Sequence, residues 1–215
     1  MLSRFIQGFV LTFIVCVSVA IIVYPGGTWW NENAVGHSFW QNFLCDLLRN
    51  PALNHRSNML GAALTKVGML GIVAALSLNW WGASRWLCCH PTLGKAVRAL
   101  GAVGTPLVAT VPMFPSDAFP RLHTAAVTLG GLPAMLALLV FTVSVFFEAH
   151  CPNWLRTLTG LLTALSIVCM GLYVRESVFA APSLRILPVL ERLATLTVVV
   201  WILELLRKAP APRLP

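Results

Sequence analysis

A few residues in this chain could do chemistry in an unusual setting: carboxylates, imidazoles and one lysine dispersed among long apolar runs. Asp46, Lys66, Asp117, His123 and Glu191 are the main ones, with His37 and Asn42 beside Asp46 in the first long loop. A charge at the centre of a bilayer costs about 2.5–3.5 kcal/mol on insertion scales, so each such group needs a partner or a task. Lys66 lies seven residues into an apolar run, about 10 Å below its end at 1.5 Å per residue. It reads either as a snorkelling or structurally paired lysine, or as a pocket cation for an anionic head group or carboxylate. Glu191 opens the last apolar run beside Arg192, where the helix dipole favours an acid. Its other reading is as the partner of Lys66. Asp117 and His123 flank the hairpin FPSDAFPRLH, stiffened by Pro115 and Pro120. They read as a solvated turn, or as an acid–imidazole pair able to relay a proton or bind a metal.

Two metal-like groupings can be weighed. His37, His55 and His123 with Asp46 and Asp117 could hold an ion that activates water, which makes a membrane-embedded metal-dependent hydrolase the alternative function. No ligand spacing supports it. Cys88-Cys89-His90 and His150-Cys151 fall on the other side, and five soft ligands there could take zinc or copper. Adjacent cysteines lack the C-x-x-C spacing, so the sequence assigns no metal and no cofactor. No Walker, zincin, nucleophile-elbow or Rossmann pattern is present.

The elements that must carry these residues are written in the composition. Of 215 residues, 58% are hydrophobic and only 10% charged, against about a quarter charged in soluble domains. The solvent must be lipid. A net charge of +8 forms no groove-sized patch and implies no nucleic acid. Six apolar runs, about Phe5–Tyr24, Met59–Trp80, Ala96–Met113, Thr124–Phe147, Trp154–Tyr173 and Val189–Leu206, are each long enough or nearly so to cross as helices. The first is too long for a signal h-region and ends in Tyr-Pro-Gly-Gly without a cleavage pattern, so it is read as a retained span. The sequence therefore predicts an all-α membrane protein: one six-span domain over 1–208 and a disordered proline-rich tail over 209–215.

Six spans put both termini on one side. That side carries Arg4, Arg85, Lys95, Arg98, Arg156, Arg207, Lys208 and Arg213. The other carries Arg49, Arg56, Arg121, Arg175, Arg185 and Arg192. The bias predicts cytoplasmic termini in a cell inner membrane. Five acids, Glu32, Asp46, Asp117, Glu176 and Glu191, fall on the outward side. The six cysteines fit no secreted disulfide framework. Gly68-x-x-Gly71, Gly101-x-x-Gly104 and Gly130-Gly131 read as close helix packing.

In the first outward loop Phe39, Trp40, Phe43, Leu44, Leu47 and Leu48 recur at helical spacing. Gln41, Asn42, Cys45, Asp46 and Arg49 take the other face. This predicts a short amphipathic helix lying in the interface. YPGG followed by GHSFWQNFLCDL, then Asn54-x-x-Ser57, then FPSD with His123 downstream, resembles a six-span bacterial membrane family that carries a domain of unknown function. That family is distantly similar to Frag/DRAM-type membrane proteins. Its members show a tyrosine-serine-phenylalanine motif before an asparagine-phenylalanine-x-serine-aspartate box. Here His37 stands for the tyrosine and Cys45 for the serine. The resemblance implies six helices and no activity. The expected function is an outward polar pocket for a lipid or small amphiphile, floored near Lys66 and roofed by Phe39–Leu48, with membrane lipids as partners. A homo-oligomer is compatible with it. A transporter is weighed and set lower, since six spans are few and no inverted repeat is visible.

Overall fold

The computed structural model describes residues 2–87, 90–179 and 182–208. The predicted disordered tail and the Cys88-Cys89 pair lie outside the described residues. Six long helices form a bundle: α1 (Leu2–Val23), α2 (Met59–Ala83), α3 (Pro91–Ala109), α4 (Pro120–Phe147), α5 (Asn153–Ser177) and α6 (Ile186–Arg207). All six are long and apolar enough to cross a membrane, and this is a multi-pass membrane protein. Two starts are fixed locally. Pro91 and Pro120 occupy the first helical position, where a missing N–H costs nothing and the ring presets φ.

Successive helices pack side by side, and α6 returns to α2. Small residues set the closest approaches. A Cβ on Gly71 would lie 3.0 Å from the Phe9 carbonyl oxygen of α1. One on Gly104 would lie 2.7 Å from the Ala134 nitrogen of α4, and one on Gly130 would lie 2.7 Å from the Val108 nitrogen of α3. The glycine spacings are thus contact surfaces, as helices in lipid require.

The long loop after α1 departs from the expected interfacial helix. A two-stranded antiparallel hairpin, β1 (Gly26–Thr28) and β2 (Asn31–Val35), opens it. Gly27 has φ +90°, and a Cβ there would meet the Asn54 nitrogen at 2.5 Å; no other residue fits. Of the predicted Phe39–Leu48 helix only a single 3₁₀ stretch forms, Leu44–Leu48, preceded by an extended Phe43. Leu44, Leu47 and Leu48 are buried in the bundle end, and so is Asp46. The segment is a plug with its polar groups inside. The reason is local: Asn42 and Asp46 bind nearby backbone amides and compete with the helical ladder. The Asn42 Oδ1 accepts the Ser38 N–H at 2.9 Å, and Asp46 Oδ2 accepts the Phe43 N–H at 2.8 Å.

Candidate functional site

This plug and the hairpin form a cap over one end of the bundle, and its irregular backbone is satisfied by side chains. Asp46 also accepts the Trp29 indole N–H at 3.0 Å and the Asn42 amide at 3.3 Å. Asn42 donates to the Gly27 carbonyl at 2.9 Å. Asn58 donates to the carbonyls of Leu47 and Arg49, both at 3.0 Å. Arg192 rises from α6 with 3% of its surface exposed. Its guanidinium donates to the carbonyls of Phe39 at 3.2 Å and Asn42 at 3.0 Å, and it lies over the Phe39 ring. Glu191, the preceding residue, accepts the Leu44 N–H at 2.9 Å. Two neighbouring side chains of α6 therefore grip the cap from below.

Burial sets the titration of the cap. It pushes the Asp46 carboxyl up from its ordinary value, against the lowering effect of the Phe43, Asn42 and Trp29 bonds and of Arg49. Burial, with the Arg192 charge second, lowers His37 to about 4. Burial likewise raises the Tyr24 hydroxyl to about 12 and holds the Cys45 thiol well above its usual range, so Cys45 is no ready nucleophile.

Beneath the cap lies a cavity of about 650 Å³, within the range of small-molecule sites. Asp46, Arg49, His123, Tyr173, Glu176 and Glu191 give it a polar rim. Its deep part is apolar, with Leu138, Leu162, Trp80 and Trp201 among its walls. Glu191 to Trp201 along α6 is about 15 Å at 1.5 Å per residue. An aromatic cluster closes the deep end: Trp201 packs at 5.6 Å from Trp80 and 5.8 Å from Phe141, ring centre to ring centre. The Trp201 indole N–H donates to Thr159 Oγ1 at 3.0 Å, and buried aliphatics surround the group.

Three of the residues singled out in the sequence converge on this cavity: Asp46, His123 and Glu191. The expected floor at Lys66 is not there. Lys66 is half-buried on α2, outside the cavity lining, and forms no ion pair with Glu191 among the described residues. The rim charges come instead from the cap, through Asp46 and Arg49, and from the helix ends, through Glu176 on α5 and Glu191 on α6. Asp117 also lies outside the lining and accepts the Asn50 N–H at 3.1 Å, tying the α3–α4 loop to the cap. No hydrogen bond joins Asp117 to His123 among the described residues. His123 Nδ1 donates to the Phe114 carbonyl at 2.7 Å. Asn42 and His37 belong to the cap's interior bonding. Arg192 donates to His37 Nε2 at 3.4 Å, and Tyr24 meets the His37 ring edge-on at 5.6 Å.

The three histidines of the hydrolase alternative are held apart by different partners. His55 sits on the surface 3.8 Å from Glu32. Among the described residues no three His, Cys, Asp or Glu side chains are grouped to hold a metal. The sequence reading missed Arg192, Trp80 and Trp201. A buried arginine adjoining a helix-start glutamate was a usable signal; the two tryptophans carry none without the fold. No protein-family model, no curated protein and no solved structure matches this chain.

Proposed function

We propose that this protein binds a single-chain lipid or small amphiphile in the cavity beneath the cap, with the head at the rim and the tail against Trp80 and Trp201. One observation carries the reading: a single cavity is polar at one end and apolar, closed by aromatic side chains, at the other. That division matches an amphiphile and suits neither an ion nor a wholly polar solute, whose desolvation the deep end would not repay. The ligand comes from the surrounding membrane. Native mass spectrometry of the purified protein tests this. Wild-type protein should retain an amphiphile adduct, and Ser166→Phe, which fills the lining from α5, should lose it. Equal adducts in both, or none in either, would sink the reading.

The cap faces away from the cytoplasm, with both termini cytoplasmic in a cell inner membrane. The support is the excess of lysine and arginine on the terminal side. Reporter fusions after Lys208 check it: a fluorescent protein should glow and alkaline phosphatase should stay inactive. The reverse pattern would invert the topology.

A further inference from the structure

The charges on the cavity rim are unequal. Asp46, Glu176 and Glu191 line it, against one guanidinium, Arg49. Arg49 sits over the Trp29 ring at 5.4 Å, reaches Ser116 Oγ at 3.4 Å and lends its charge to Asp46. Arg192 donates to cap carbonyls and keeps its charge beside Glu191, but neither it nor Lys66 lines the cavity. Meanwhile Asp46 and Glu191 accept from consecutive amides, Phe43 and Leu44, so both carboxylates are held at the same short stretch of the plug. Glu191 uses only Oε2 in this; its Oε1 takes no hydrogen bond from a described residue. Two acids placed together in a poorly hydrated site repel, and a cation between them relieves the repulsion.

We infer that the ligand's head group is cationic, an ammonium seated at Glu191 and Asp46. This rests on the amphiphile-pocket reading and reverses the anionic head that a Lys66 floor would have favoured. An ammonium offers donors to both carboxylates, while a phosphate or carboxylate head would face three acids against one arginine. The apolar depth of the cavity takes the alkyl chain whichever head it bears, so the rim acids determine specificity rather than uptake.

The test places the protein in phosphatidylcholine nanodiscs and adds dodecyl chains with a terminal bromine, as the amine, the alcohol and the carboxylate. Bromine quenches indole fluorescence at contact, and Trp80→Phe identifies the part of the signal that comes from the cavity. Compared at equal bilayer concentration, the amine should saturate about tenfold lower than the alcohol or carboxylate. Glu191→Gln keeps an acceptor for the Leu44 N–H and should reduce that preference to about threefold or less. Glu176→Gln, away from the plug, should reduce it in the same direction. A carboxylate that binds as tightly as the amine, or a preference that survives both substitutions, overturns the head-group assignment and leaves the cavity reading standing. Absence of saturable quenching by any chain overturns both. A brominated lyso-phosphatidylethanolamine, added last, distinguishes the source. Binding as tight as the amine identifies a membrane lipid, and weaker binding identifies a free alkylamine; either carries the ammonium.

Discussion

The two ends of this bundle are held together in different ways. At the cap end the chain is irregular for most of the stretch from Tyr24 to Asn58, and buried side chains of Asn42, Asp46, Asn58 and Arg192 bind its backbone. At the opposite end the helices run nearly to their short connections. Leu87, Val145, Leu155 and Leu205 pack there, and one side chain, Arg156, donates to the Val145 and Glu148 carbonyls at the end of α4, at 3.2 and 2.7 Å. Trp86 and Trp154 meet edge to face, Lys208 sits over Trp154 at 4.3 Å, and Glu204 pairs with Arg207 and Lys208 near the surface. A helix satisfies its own amides, so an end made of helices imports few hydrogen-bond partners. An end made of loop must import its hydrogen-bond partners. The cavity lies under the loop-built end because the polar groups recruited to hold the cap also border the space beneath it.

If that contrast is right, removing one cap side chain should cost far more than removing an ion pair at the other end. Arg192→Met leaves the Phe39 and Asn42 carbonyls without their donors. It should lower unfolding stability by about 2–4 kcal/mol, the scale for bonds to a charged donor plus the unpaired groups left behind. Thermal melting in detergent measures this, and limited proteolysis should find the Phe39–Arg49 segment newly cleavable. A melt unchanged from wild type would mean that Arg192 does not hold the cap.

The next effect is set by pH. The half-buried His37 takes its proton only near 4, whereas free in solution it does so at 6.5. Between these values the released cap binds a proton that the docked cap refuses, so stability is full above 6.5 and is lost as pH falls toward about 4. Asp46 works in the opposite sense. Its raised carboxyl favours the docked cap as pH falls. His37→Phe keeps the edge contact with Tyr24 and removes the proton site, so comparing it with wild type cancels Asp46. The melting difference should be constant above 6.5 and should move in favour of the variant below it. Parallel curves would break the assignment. The smallest change belongs to the other end: Glu204→Gln removes two ion pairs near water, which contribute little when screened, and melting should not shift measurably. A shift as large as that of Arg192→Met would erase the contrast between the ends.

How far the sequence carries depends on which residues are asked about. The helices were legible because a bilayer demands about 20 apolar residues per crossing, and the chain supplies six such runs. The glycine spacings were legible for the same reason: close packing in lipid needs small residues at one-turn intervals. Phe39–Leu48 was misread because helical periodicity of apolar residues does not reveal Asn42 and Asp46 turning back on their own backbone. The cavity's charge was misread because Lys66 was judged by depth alone. Glu191 and Arg192 are adjacent in sequence yet differ by about 100° around the helix, so both reach the cap but only Glu191 also lines the cavity.

The amino-acid sequence by itself determined that lipid surrounds the helices, how many there are, and where they touch most closely, since hydrophobic length and small side chains act locally. Only the tertiary structure decided which acids share one cavity, that Lys66 stays outside it, and that Arg192 supports a plug in place of an interfacial helix. Those outcomes depend on the rotation of each helix about its axis and on contacts between residues about 150 apart, as between Leu44 and Glu191. No local pattern encodes either one.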